Sequence, residues 1–158
     1  MMKALVVYYS RTGNTKKVGD DLAKLLSCDR EELIDTANRA GPVGFLQSIR
    51  DGSGRKLATL MPIKMDPANY DIVVIGTPNW DANMSSPVRT YLTENKAKFK
   101  STAFFITQGP RGGDEKALAE MEAVTGKKPK ATLTISTILR VGNDADDKIK
   151  KFADDIKA

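Results

Sequence analysis

A chain of 158 residues has the length of one ordinary domain, and 41% hydrophobic with 28% charged residues are globular values that leave no segment to disorder. Cys28 is the only cysteine and histidine is absent, which excludes an internal disulfide, thiolate or histidine metal centres, and Ser-His-Asp or Cys-His catalysis. The net charge of +5 resides in two patches, Lys96, Lys98, Lys100 and Lys127, Lys128, Lys130; only Phe99 adds an aromatic there, so they read as solvated surface and no nucleic-acid partner is expected.

The chain opens on Met1-Met2-Lys3 and the apolar run Ala4 to Tyr9, too short for the apolar region of a signal peptide; within it Ala4 to Tyr8 is continuous as a strand buried on both faces should be. Ser10-Arg11-Thr12-Gly13-Asn14-Thr15 follows, and then Val18, Leu22, Leu25 and Leu26 form one helical stripe. Glu31 to Ile34 is short and charged, as an edge strand is. Thr36 to Asn69 reads as loop around one short helix at Phe45 to Arg50.

Ile72 to Ile75 is a second buried strand, followed by the segment Thr77 to Ser86. Ser85 or Ser86 should cap a helix that begins at Pro87 and carries Val88, Tyr91 and Leu92 on one face. Ala103 to Ile106 is the third buried strand, and a helix from about Asp114 to Thr125 ends at Gly126. Ala131 to Thr137 alternates like an edge strand, and Ile149, Phe152, Ala153 and Ile156 form a last helical stripe.

Alternating strands and helices predict a three-layer, doubly wound, five-stranded parallel sheet in the order 2-1-3-4-5, within one domain spanning residues 1–158. Such sheets bind ligands at the carboxyl ends of their strands, near the switch point between strands 1 and 3. Ser10 to Thr15, Thr77 to Ser86 and Thr107 to Gly113 all fall there, whereas the lysine patches precede strands 4 and 5 at the other end.

Hydroxyls and glycine feeding a helix N-terminus suit an anion, because first-turn N–H groups and the helix dipole both point at it. Ser10, Thr12, Asn14 and Thr15 can add side-chain donors, and neither the Walker A nor the G-x-G-x-x-G spacing is present. In Thr77-Pro78-Asn79-Trp80-Asp81-Ala82-Asn83-Met84, Trp80 is the natural stacking surface for a flat ring.

Val7 to Thr15 resembles the FMN-phosphate loop of the flavodoxin family, Ser/Thr-x-Thr-Gly-x-Thr after strand 1, at every specified position. Gly76 to Trp80 and Ser86 to Leu92 resemble that family's second flavin loop and following helix. The resemblance implies a flavodoxin-like fold, FMN as cofactor and electron transfer. Its site would comprise Ser10, Arg11, Thr12, Gly13, Asn14 and Thr15, then Thr77, Pro78, Asn79, Trp80, Asp81, Asn83 and Met84, then Thr107, Gln108, Gly109, Gly112 and Gly113.

Two departures bear on function. The second loop lacks the family's glycine, so Asp81 or Asn83 must supply any left-handed residue. The third loop, Thr107 to Gly113, has no aromatic residue where many flavodoxins place a tyrosine, which leaves the outer ring face open. The implied function is a carrier of one or two electrons, with an FMN-dependent NAD(P)H or quinone oxidoreductase as the alternative. The partners expected are a redox protein or a small electron donor or acceptor. The chain is expected to be cytoplasmic, without membrane or metal, and a monomer or weak homodimer.

Overall fold

In the computed structural model, which describes residues 1–137 and 144–158, the first strand, β1 (Ala4–Tyr8), lies at the interior of the sheet with every residue buried. It pairs in parallel with β2 (Asp29–Glu32) on one side and β3 (Ile72–Pro78) on the other. Beyond β3 come β4 (Thr102–Gln108) and β5 (Thr132–Ser136), so the order is β2-β1-β3-β4-β5, all parallel, as expected from the sequence.

Among the described residues, five α-helices connect and cover the strands: α1 (Asn14–Leu26), α2 (Gly41–Ser53), α3 (Ser86–Asn95), α4 (Asp114–Thr125) and α5 (Asp144–Lys157). Successive side chains of a strand face opposite ways. Val6, Tyr8, Val74 and Phe105 therefore join Leu22 of α1 with Phe152 and Ile156 of α5, while Leu5, Val7, Val73 and Phe104 join Tyr91 and Leu92 of α3 with Met121 of α4. Both faces of the central strands are covered, which explains their unbroken apolar runs.

The edges differ from expectation in register. β2 lies two residues earlier than Glu31 to Ile34, because pairing with β1 fixes it and its polar side chains can point outward at an edge. Glu31 alone turns inward, its carboxylate accepting from the backbone N–H of Lys64 (2.5 Å) and Met65 (2.9 Å) and so holding the returning chain. β5 is one residue shorter at each end than predicted, and its alternation stands: Leu133 and Ile135 are buried.

The lysine patches lie at the amino ends of β4 and β5, away from the carboxyl-end loops. Two of their members are engaged: Lys98 is 3.7 Å from Asp66, and Lys130 Nζ donates to the carbonyls of Ile156 (2.8 Å) and Ala158 (2.6 Å) at the end of α5. No helix among the described residues is long and apolar enough to cross a membrane.

Candidate functional site

The first loop leaves β1 and enters α1 through Gly13, whose φ of 103° is a left-handed conformation that glycine adopts without strain. Gly13 N–H donates to Ser10 Oγ (3.0 Å), closing the loop on itself, and Thr12, Gly13 and Asn14 are exposed. No side chain caps the N-terminus of α1 and its first turn carries no acid. The first turn of α4, which starts at the third loop, instead holds Asp114 and Glu115. Compared with the N-terminus of α4, that of α1 is therefore the more open to an anion, and it alone follows the hydroxyl-rich loop Ser10 to Thr15.

Thr15 is buried, and its hydroxyl lies 2.7 Å from that of Thr107, which joins the first loop to the end of β4. Either hydroxyl can be the donor, so Thr15 can accept from Thr107 and keep its own proton for a ligand.

The second loop is a tight hairpin: Trp80 and Asn83 exchange backbone hydrogen bonds, and both central residues are left-handed, Asp81 at φ 55° and Ala82 at φ 63°. Asp81 meets the sequence expectation; Asn83 does not turn left-handed and instead donates its amide to the Asp81 carbonyl (2.6 Å). Thr77, fully buried, is tied to Ser85: its Oγ1 donates to Ser85 Oγ (3.0 Å) and accepts from Ser85 N–H (2.9 Å). Ser85 thus occupies the N-cap position of α3, as expected, with its hydroxyl committed to Thr77 rather than to the helix. Met84 lies in the core.

Asn79 joins the second loop to the third. Its Nδ2 donates to Gln108 Oε1 and to the Gly112 carbonyl, both at 2.8 Å, while Gln108 Nε2 donates to Asp114 Oδ1 (3.3 Å). A backbone carbonyl can only accept, so the Asn79 amide has one orientation, and it leaves Oδ1 buried with no partner. An orphaned acceptor of this kind calls for a donor, from a water molecule or from a ligand N–H or O–H.

These loops border a cleft of about 850 Å³ lined by Asn79 to Ala82, Gln108 to Gly113, and four residues of α2: Phe45, Leu46, Ser48 and Ile49. Trp80 reaches it with little surface, because its side chain is 5% exposed. The Arg39 guanidinium sits 4.8 Å from its ring centroid and Tyr9 meets its edge at 5.7 Å. Arg39 is itself buried between Asp35 (2.5 Å) and Asp51 (2.9 Å). Burial, with Asp35 nearby, pushes the Tyr9 hydroxyl up to about 12.

The structure therefore sorts the expected residues into three groups. Asn79, Trp80, Asp81, Gln108, Gly109, Gly112 and Gly113 line the cleft; Ser10 to Thr15 form the neighbouring loop; Thr77, Pro78, Asn83, Met84 and Thr107 support both from behind. Missed by the sequence reading were Phe45, Leu46, Ser48 and Ile49. Their signal was an aromatic-aliphatic pair in a helix otherwise rich in Gly and Ser.

A parallel five-stranded sheet in this order, with three carboxyl-end loops meeting at its switch point, defines a flavodoxin-like α/β domain. No family model matches the chain. In sequence it is 28% identical over 134 residues to NAD(P)H dehydrogenase (quinone) 3 of Rhizobium meliloti (strain 1021), spanning 78% of this chain and 62% of that protein's length. In structure it is similar to a flavoprotein of Lactobacillus acidophilus NCFM solved in complex with FMN, with a TM-score of 0.76 at 19% identity, covering 97% of this chain and 99% of that one. It is also similar to the flavodoxin of Streptococcus pneumonia TIGR4, with a TM-score of 0.62 at 18% identity over 98% and 97% of the two chains. The two-electron reduced Megasphaera elsdenii flavodoxin aligns with a TM-score of 0.60 at 16% identity, over 96% and 98%.

Proposed function

We propose that this chain binds one FMN and carries one or two electrons between redox partners. The observation that carries the reading is an uncapped, acid-free helix N-terminus beside a hydroxyl-rich loop, at the same end of the sheet as a cleft with apolar walls and an orphaned acceptor. That donor set suits a phosphate at one end of a ligand and a flat heteroaromatic ring with N–H groups at the other.

FMN, when bound, supplies the reversible electron and proton chemistry that these side chains lack. The chain's own residues hold and orient. Amides of the first turn of α1, with the Thr12 and Thr15 hydroxyls, anchor the phosphate; each such bond to a charged group is worth about 1.5–3 kcal/mol, against about 0.3–2 kcal/mol from the dipole. Asn79, its amide fixed by Gln108 and Gly112, would offer Oδ1 to an N–H of the ligand.

A second reading, direct reduction by NAD(P)H or reaction with a quinone, is supported by the 28% identical relative and by the aromatic-free loop Thr107 to Gly113, which leaves room for a second flat molecule.

Calorimetric titration with FMN and with riboflavin tests the phosphate anchor. Thr12→Val and Thr15→Val should each weaken FMN about tenfold or more, about 1.4 kcal/mol, and change riboflavin little. Equal losses for both ligands would falsify the assignment. Rapid anaerobic bleaching of the yellow protein by NADPH or NADH alone would favour the oxidoreductase over the carrier.

A further inference from the structure

Helix α2 is packed inside out. Its buried residues are Gly44, Ser48, Asp51 and Gly52, while Val43, Phe45 and Leu46 are 78%, 48% and 66% exposed. An amphipathic helix normally turns its apolar stripe to the core. Three contacts hold this one the other way round. A Cβ on Gly44 would stand 2.2 Å from the backbone of Arg39, and one on Gly52 would stand 2.6 Å from Trp80 Cβ, so α2 lies against both residues through its smallest side chains. The ion pair from Asp51 to Arg39, at 2.9 Å, then fixes its rotation.

The cost of exposing that surface is set against what it faces. Phe45, Leu46 and Ile49 line the cleft, whereas Val43, on the same helix, does not. The Arg11 guanidinium lies 5.3 Å from the Phe45 ring centroid and donates to the Arg39 carbonyl (3.3 Å), so the anion loop and the apolar wall are joined by one side chain. Meanwhile Trp80, with Arg39 over its ring, is only 5% exposed against 48% for Phe45, and the third loop offers no aromatic ring.

From these observations we infer that α2 supplies the ring platform of the cleft: Phe45, with Leu46 and Ile49 beside it, packs on the flat heteroaromatic part of the bound cofactor. The inference rests on the FMN reading and assigns to the connection between β2 and β3 the wall that the third loop lacks. A second copy of the chain docked on α2 is the competing occupant. The concave cleft, continuous with the polar edge at Asn79 and Gln108, favours a small flat ligand over a protein face.

The test uses the full chain, freed of ligand and titrated with FMN and with riboflavin, following flavin fluorescence. Phe45→Ala and Leu46→Ser should each weaken both ligands by the same factor, fivefold or more, and lessen the quenching of the bound ring. Val43→Ser should leave both within twofold. Far-ultraviolet circular dichroism verifies that the variants are folded. If the wild type binds FMN and riboflavin but Phe45→Ala binds them equally well, the platform is wrong and the FMN reading stands. If the wild type binds neither ligand, the FMN reading itself fails and the platform falls with it. A wild-type dimer in sedimentation that Phe45→Ala dissociates, with FMN affinity unchanged, would assign α2 to the second copy instead.

Discussion

Ala82 has a backbone poorly suited to its side chain, left-handed at φ 63°. A two-residue hairpin of this type needs positive φ at both central positions, and alanine there carries a Cβ–carbonyl conflict of about 1–2 kcal/mol that glycine avoids. Glycine would also give up about 0.5–1 kcal/mol to the entropy of the unfolded chain. Ala82→Gly should therefore raise stability by about 0.5–1 kcal/mol, a rise of roughly 1–4 °C in thermal unfolding followed by circular dichroism. An unchanged or lower midpoint would show that the alanine side chain is held by something other than its turn. At this scale the sequence was legible in kind and not in direction. Thr77, Thr15 and Asn79 were all recognisable as polar groups at strand ends, but Thr77 spends its hydroxyl on Ser85 while Asn79 leaves an acceptor over. Residue type announces a donor; only the fold decides where it is aimed.

Among the elements, α2 differs most from its sequence reading, which had a short helix at Phe45 to Arg50 where thirteen residues are helical. Periodicity rules find a helix by its apolar inner face, and here that face is Gly, Ser and Asp. What holds the helix is the buried Arg39 between two carboxylates, a partnership of residues without any hydrophobic signal. Removing the cation strands both acids. Arg39→Met should therefore cost about 3–5 kcal/mol in urea unfolding, and a loss under about 1 kcal/mol would mean that water already reaches the carboxylates. The helices with apolar inner faces were better served: α4 runs from Asp114 to Thr125 and stops at a left-handed Gly126, as its sequence indicates.

At the scale of the molecule, strand order followed from little more than the alternation of buried runs with helical stripes, because parallel crossovers leave few ways to wind a sheet. The same burial that makes those runs legible sets the alkaline limit of the fold. Burial pushes Tyr9 up to about 12; burial, with its hydrogen bond to Asp29, does the same for Tyr70, and burial raises Tyr91 as well. The unfolded chain gives up these protons near pH 10 while the folded one retains them, so the contribution is intact below pH 10 and is lost as pH rises from about 10 to 12. Tyrosinate absorbance should accordingly appear together with loss of circular dichroism, and Tyr9→Phe should make the decline shallower. Tyrosinate absorbance appearing well before unfolding would contradict it.

Trp80 is the chain's single tryptophan, and it sits at the wall of the cleft, shielded from water by Tyr9 and the Arg39 guanidinium. Indole emission from this protein therefore has one source, a few ångströms from the cleft: its colour records how dry that wall is, and its intensity how near an absorbing ligand has come.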